Sequence, residues 1–283
     1  LTNPSLSLSL SSLFLFPSFP LSLFPPPQKK QPMQDTQQRR LPIFDANNSP
    51  QNISVYAFLL GSAFGASLTH AFYDRATPQL SIFLAALAIF HVLEYIATAL
   101  FNPQKLTLGS YLINHSDGYN AAHAAALIEF ITERYFFPEW KTFGIINFIG
   151  FSIVVIGQSA RTLAMFHAKT NFSHYIVQRK EHDHFLVTTG IYRISSVTYH
   201  PTLNRLEPAR SIMRHPSYFG FYWWALGSQV MLLNPICFIG FLRALHRFFT
   251  NRIRYEESTL IRFFGAEYEA YKQRTRTFIP FIP

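Results

Sequence analysis

The sequence predicts an all-α, polytopic integral membrane protein, a helical bundle, and three observations carry that prediction. Apolar residues make up 49% of the chain and charged residues only 14%, where soluble domains carry roughly a quarter charged. Several apolar stretches, one of them free of formal charge, reach the length of about 20 residues that crosses a bilayer. Lys and Arg gather near the ends of those stretches, as in loops facing anionic cytosolic lipid. The formal charge of +9 is therefore assigned to a lipid bilayer as partner, and the absence of one long basic strip excludes nucleic acid. The single cysteine, Cys237, excludes an internal disulfide framework, and no Cys/His spacing suits zinc, so no metal is expected. Cys237 lies in an apolar run and reads as a small buried residue.

From the start of the chain, residues 1–27 are almost entirely Leu, Ser, Phe and Pro. Those four share pyrimidine-rich codons, so the stretch reads as translated untranslated sequence with Met33 as the true start. A signal peptide is the competing reading, but Pro17, Pro20 and the run Pro25 to Pro27 break any apolar helix, and no basic n-region precedes it. Segment 1–52 is expected to be disordered, and the stretch ahead of Met33 dispensable. Segment 53–166 is expected to hold the N-terminal transmembrane helices, and 167–283 a C-terminal catalytic region with a membrane hairpin.

Ile53 to Tyr73 carries no formal charge and reads as the first span, with the Gly61/Gly65 spacing that permits close helix packing. Leu80 to Leu100 is the second. It places His91 and Glu94 three apart on one face, either a functional intramembrane pair or a mutually satisfied structural one. Tyr119 to Phe137, with His123, Glu129, Glu133 and Arg134, reads as a less apolar span inside the bundle. Phe143 to Phe166 is the next, with Gln158 and Arg161 toward one end. Residues 167–215 are polar and basic, too short of apolar runs to cross, and read as cytosolic. Tyr218 to Leu233 and Ile236 to Phe249 are split by Asn234-Pro235, the turn of a helical hairpin. Arg252 to Tyr271 reads as an amphipathic helix. Sequons at Asn52, Asn114 and Asn171 would matter only on a lumenal loop.

The runs HDHFLVTTGIY (His182 to Tyr192), RHPSYFGFYWWALGSQ (Arg214 to Gln229), NPICF (Asn234 to Phe238), RFFTNRIRYEE (Arg247 to Glu257) and FFGAEYEAYKQR (Phe263 to Arg274), with FHVLEYIATALFNPQK (Phe90 to Lys105) upstream, closely resemble the isoprenylcysteine carboxyl methyltransferase family. The pattern RHP-x-Y-x-G alone is weak, because it recurs in a wider group of membrane methyltransferases and reductases. The ordered series over residues 53–280 is specific.

The resemblance implies a C-terminal cytosolic pocket for S-adenosylmethionine as cofactor, a lipid tunnel opening into the bilayer, and an endoplasmic reticulum location with the active site facing the cytosol. It implies methyl esterification of the C-terminal prenylated cysteine of CaaX-processed proteins such as small GTPases. A carboxylate with a pKa near 3.5 is already ionised at neutral pH, so no general base is required. His215, Pro216, Ser217 and Tyr218 are assigned to the cofactor. Pro216 suits a first helical position, His215 before it is expected to be extended, and the N–H groups that follow suit an anion. A helix start at the membrane surface explains the same residues. His184, Phe185, Leu186, Val187 and Tyr192 are assigned to the cofactor by resemblance, with Gly190 permitting a turn and Gln178 a looser candidate. A plain surface loop is the alternative. The resemblance gives Arg252 to the substrate carboxylate, which a guanidinium can bind bidentately, and Glu256 to the cofactor. Spaced four apart, the two could also be a simple helical ion pair. Glu257 faces elsewhere and is read as structural. Phe219, Phe221, Tyr222, Trp223 and Trp224 suit either a prenyl tunnel or an interfacial belt.

One departure stands out. In the family about one helical turn separates the GIY tyrosine from the RHP arginine, whereas here a polar stretch, about 195–212, lies between Tyr192 and Arg214. It is expected to be an insertion, from a retained intron, that loops out of the site. Two rival activities share the weaker motif. A phospholipid N-methyltransferase would not need Arg252, and a sterol-type reductase would need a phosphate-binding cluster that the sequence lacks.

Overall fold

The computed structural model describes residues 48–174, 176, 179, 185–188, 190–192, 198–200, 205–207 and 213–283. The expectations for residues 1–47, for Gln178 and His184, and for most of 195–212 fall outside them.

Seven helices make up the described bundle: α1 Pro50–Tyr73, α2 Pro78–Phe101, α3 Asp117–Phe136, α4 Ile145–Ala168, α5 Pro216–Leu232, α6 Pro235–Phe264 and α7 Ala266–Arg274. Their ends follow from local chemistry. Ser49 caps α1 by accepting the Asn52 N–H at 3.2 Å, with Pro50 in the first position, where its missing N–H costs nothing. The turn to α2 is closed by Asp74, whose carboxylate accepts the Ala76 N–H at 3.0 Å and the Thr77 hydroxyl at 2.9 Å, before Pro78 opens the next helix.

Three of the helical segments, Pro50–Tyr73, Pro78–Phe101 and Ile145–Asn171, are long and apolar enough to cross a membrane by themselves. α5 is a hairpin arm: its 17 residues rise about 26 Å, short of a hydrocarbon core of about 30 Å. The turn falls at Asn234-Pro235 as the sequence predicts, held by a lysine that sequence reading passed over. Lys141 is fully buried and its ammonium donates to Leu232 O at 3.0 Å, Leu233 O at 2.6 Å and Asn234 Oδ1 at 2.9 Å, while pairing with Glu133 at 2.6 Å. It thus satisfies the carbonyls left open at the end of α5. Glu129 does the reciprocal work at the start of α6, accepting the Ile236 and Cys237 N–H groups at 2.7 and 2.6 Å. Cys237 is buried and unpaired, as expected.

Two readings of helix organisation change. The stretches 236–249 and 252–271 are not separate elements: α6 runs unbroken to Phe264 and stops at Gly265, whose φ of +55° leaves helical space. The close-packing glycines are also elsewhere. A Cβ on Gly61 or Gly65 would meet nothing within 4 Å, whereas one on Gly157 would lie 2.5 Å from the Trp224 backbone nitrogen, and one on Gly220 2.5 Å from that of Arg161. Gly150 and Gly157 of α4, with Gly220 and Gly227 of α5, let these two backbones touch, making α4 and α5 the rigid centre of the bundle. Tyr222 and Trp224 are fully buried in that centre with Phe90, so neither belongs to an interfacial belt.

Within the expected insertion, Thr198–His200 and Arg205–Glu207 pair as a short antiparallel ribbon, with Tyr199 opposite Leu206. It is a local hairpin in the loop between α4 and α5, outside the helical bundle.

Candidate functional site

A cavity of about 180 Å³ opens where the α4–α5 connection meets the first turn of α5 and the outer half of α6. Eight of the expected residues line it: Phe185, Leu186, Val187 and Tyr192 on one wall, His215, Ser217 and Tyr218 on the second, and Glu256 on the third. A wider groove of about 860 Å³ between α7 and the 275–283 tail holds none of them.

The first wall turns at Gly190, where φ is +66° and a Cβ would press to 2.3 Å of the His167 ring. Glycine is required there on both counts. The second wall begins with Pro216, buried in the first position of α5. His215 departs from expectation: it adopts a left-handed φ of 55° and ψ of 46° in place of the extended form that a following proline favours. The surrounding contacts overcome that preference. Its ring stacks on Tyr218 at 5.4 Å with planes 5° apart, and its nitrogens stand 3.5 Å from Glu256 Oε2 and 3.4 Å from Glu257 Oε1. Residues held in sparsely populated backbone regions cost about 1–3 kcal/mol and persist where neighbours over-determine them. The Tyr218 N–H donates to His215 O at 2.9 Å, so this donor, expected to await an anion, is already used.

Glu257 is structural, as its direction on the helix predicts. It is buried against Arg214 at 2.6 Å and Lys272 at 2.7 Å. Burial alone would raise its pKa, but hydrogen bonds from His215, Lys272 and Arg214 outweigh that and bring the carboxyl to about 2. A carboxyl held below its unfolded value stabilises the fold fully above that value, about 4.5, and loses the contribution as pH falls toward 2. Acid unfolding followed by circular dichroism should therefore shift to higher pH in Glu257→Gln, and the wild-type and variant curves should converge at the acid end.

Arg252 reaches the cavity through Tyr218, which lines it. Its Nε donates to the Tyr218 hydroxyl and its Nη2 to the His174 carbonyl, both at 2.7 Å, and the guanidinium lies over the Tyr218 ring at 5.3 Å. The Tyr218 hydroxyl also hydrogen-bonds Glu256, so these three residues form one polar unit.

Among the described residues, three buried polar atoms lining the cavity make no hydrogen bond: Asn171 Nδ2, the Tyr268 hydroxyl and Glu256 Oε2, the last with only the His215 ring at 3.5 Å. Each unmet buried group is costly, and together they offer an anionic acceptor, an amide donor and a hydroxyl to a ligand with polar groups at several points. The set suits a ligand that carries both a cation and hydrogen-bonding groups. Asn171 was noticed in the sequence only as a sequon. Here its Oδ1 accepts the Phe185 N–H at 3.2 Å, tying the first wall to the end of α4.

Behind the site lies a cluster that sequence could not assemble. Glu94 does not pair with His91. It receives Arg161 through Nε and through Nη2 at 2.8 Å, and His174 Nε2 at 2.7 Å. Arg161 reaches Ser217 Oγ at 3.1 Å and lies over the rings of Phe90 and Phe221. His91 instead meets the Tyr111 carbonyl at 2.7 Å and the Tyr119 hydroxyl at 3.3 Å.

The isoprenylcysteine carboxyl methyltransferase family model matches residues 148–204 and 209–262, breaking inside the stretch expected to be inserted. Protein-S-isoprenylcysteine O-methyltransferase of Saccharomyces cerevisiae is 38% identical over 256 residues, covering 88% of this chain and 99% of that one. The Homo sapiens protein of the same name is 38% identical over 230 residues, covering 81% and 75%. In structure, the chain resembles a solved eukaryotic intramembrane Ras methyltransferase, with a TM-score of 0.73, 33% identity, and coverage of 81% of this chain and 76% of the other.

Proposed function

The chain belongs to the isoprenylcysteine carboxyl methyltransferase family, and on that premise we propose that it transfers the methyl group of S-adenosylmethionine to the carboxylate of a C-terminal prenylated cysteine. The observation that supports the reading is that Arg252 touches Tyr218, which lines, with Glu256, a cavity walled by 185–187, Tyr192, His215 and Ser217. A substrate anion and a cationic donor need opposite charges close together, and Arg252 and Glu256 supply them on adjacent turns of α6.

The chemistry asked of the protein is positioning. When bound, S-adenosylmethionine supplies an electrophilic methyl group on a sulfonium. Glu256 would hold the cationic end of the donor, Asn171 and Tyr268 its polar atoms, and Leu186 and Val187 its ring. Arg252 binds the substrate carboxylate, which needs no deprotonation at neutral pH. Fixed orientation of this kind is worth roughly 7–11 kcal/mol in well-aligned reactions. The prenyl chain provides remote binding energy that holds the carboxylate in place, so short hydrophilic thiol acids are poor substrates. His184 and Gln178 belong to the same donor site, by family resemblance.

The enzyme is placed in the endoplasmic reticulum membrane with this cavity on the cytosolic side, where newly processed CaaX proteins, small GTPases among them, present their cysteine carboxylates. In this arrangement 53–166 is the membrane anchor, 167–283 the catalytic region, and 195–212 an insertion that the activity does not need. Deleting 195–212 is therefore expected to leave or raise methyl transfer to farnesylcysteine, and a sharp loss in the deletion variant would make the segment part of the enzyme.

The direct test uses membranes expressing the chain, labelled S-adenosylmethionine and a farnesylated cysteine. Label should enter a base-labile methyl ester and be competed by S-adenosylhomocysteine. Label entering phospholipid instead would give the chain to the N-methyltransferase branch.

A further inference from the structure

An ionisable residue in a membrane span costs energy and needs a reason. Glu94, buried without exposure midway along α2, has one that reaches beyond its partner. A carboxylate serving only to neutralise Arg161 could be satisfied by that guanidinium alone. Glu94 divides its oxygens: Oε1 takes Arg161 Nε, while Oε2 is shared between Arg161 Nη2 at 2.8 Å and His174 Nε2 at 2.7 Å. His174 lies on the non-helical chain just after α4, and its backbone carbonyl accepts Arg252 Nη2 at 2.7 Å. That stretch is also tied to α2 by Asn102 Nδ2, which donates to Phe172 O at 3.0 Å. Arg252 is thus held from two directions, by Tyr218 of α5 and, through His174, by α2.

We propose that Glu94 is a positioning residue for the substrate-binding Arg252, acting through the His174 ring to hold the carbonyl that orients the guanidinium. The proposal rests on the reading of Arg252 as the substrate anchor. Its physical content is specific. Arg161, by way of Ser217, ties the same carboxylate to the cofactor wall. One buried charge therefore sets the separation between the place that holds the donor and the residue that holds the acceptor. A misplacement of about 1 Å in such a geometry can cost on the order of a hundredfold in rate.

The test compares full-length wild type, Glu94→Gln and His174→Phe in membranes, with KM measured separately for farnesylcysteine and for S-adenosylmethionine. Glu94→Gln is expected to raise the KM for farnesylcysteine about tenfold or more, with the KM for the donor changed by less than about threefold. Because that variant leaves Arg161 without its counter-charge and can fail to accumulate, His174→Phe is the second arm. It keeps the Glu94–Arg161 pair and the ring volume and is expected to raise the same KM about three- to tenfold. An unchanged farnesylcysteine KM in His174→Phe overturns the relay, as does an equal rise in both constants. A wild type that turns over no farnesylcysteine overturns the substrate reading, and the relay with it.

Discussion

Replacing Arg252 with alanine is expected to lower kcat/KM for farnesylcysteine by roughly 30-fold to a few thousandfold, because truncating one partner of a desolvated charge pair costs about 2–5 kcal/mol and each ~1.4 kcal/mol is tenfold. Arg252→Lys should recover only part of the loss. An ammonium keeps the charge but cannot make the planar forked contact with a carboxylate while also holding the Tyr218 hydroxyl and the His174 carbonyl, as the five donors of a guanidinium allow. Retention of S-adenosylhomocysteine, read as a ligand-induced thermal shift, should survive in both variants, since the cavity walls and Glu256 remain. Unchanged turnover in Arg252→Ala would remove the substrate assignment and favour an amine-methylating relative.

The comparison between what the sequence shows and what the fold adds is most informative at this site. Features determined by a residue and its immediate neighbours were legible. The Asn234-Pro235 turn, the glycine at 190, Pro216 at the head of α5 and the outward turn of Glu257 from Glu256 each follow from local backbone chemistry. What needed the fold was the identity of partners. Helical spacing put His91 and Glu94 on one face of α2 but could not say what faces them. The partner of Glu94 is Arg161, 67 positions away on α4. His215 shows the same limit from the other side. Its local preference before proline is extended, and stacking on Tyr218 with two carboxylates beside its ring overrides it. Asn171 carried a sequence signal, a sequon, that pointed to a different use from the one its geometry gives it.

The glycines give this distinction a measurable form. In an exposed helix interior, Gly→Ala usually stabilises by about 0.5–1 kcal/mol, because glycine gives up more chain entropy on folding. Gly65→Ala in α1, where a Cβ meets nothing within 4 Å, should follow that rule. Gly220→Ala should reverse it. The added Cβ would lie 2.5 Å from the Arg161 backbone nitrogen and 2.6 Å from Gly157 O, atoms that cannot yield by a side-chain rotation. Relief requires α4 and α5 to separate. Overpacking typically costs about 1–3 kcal/mol where side chains can adjust, so a backbone contact of this kind should exceed that range and take a large part of a stability of about 5–15 kcal/mol. Thermal unfolding of the detergent-solubilised variants reads the difference directly, as opposite signs of the shift. Separation of these helices would also draw Arg161 from Ser217, whose bond spans that crossing. Any folded fraction of Gly220→Ala should then lose methyl transfer, while Gly65→Ala retains it. Parallel behaviour of the two variants would mean that the α4–α5 contact does not set the geometry of the site.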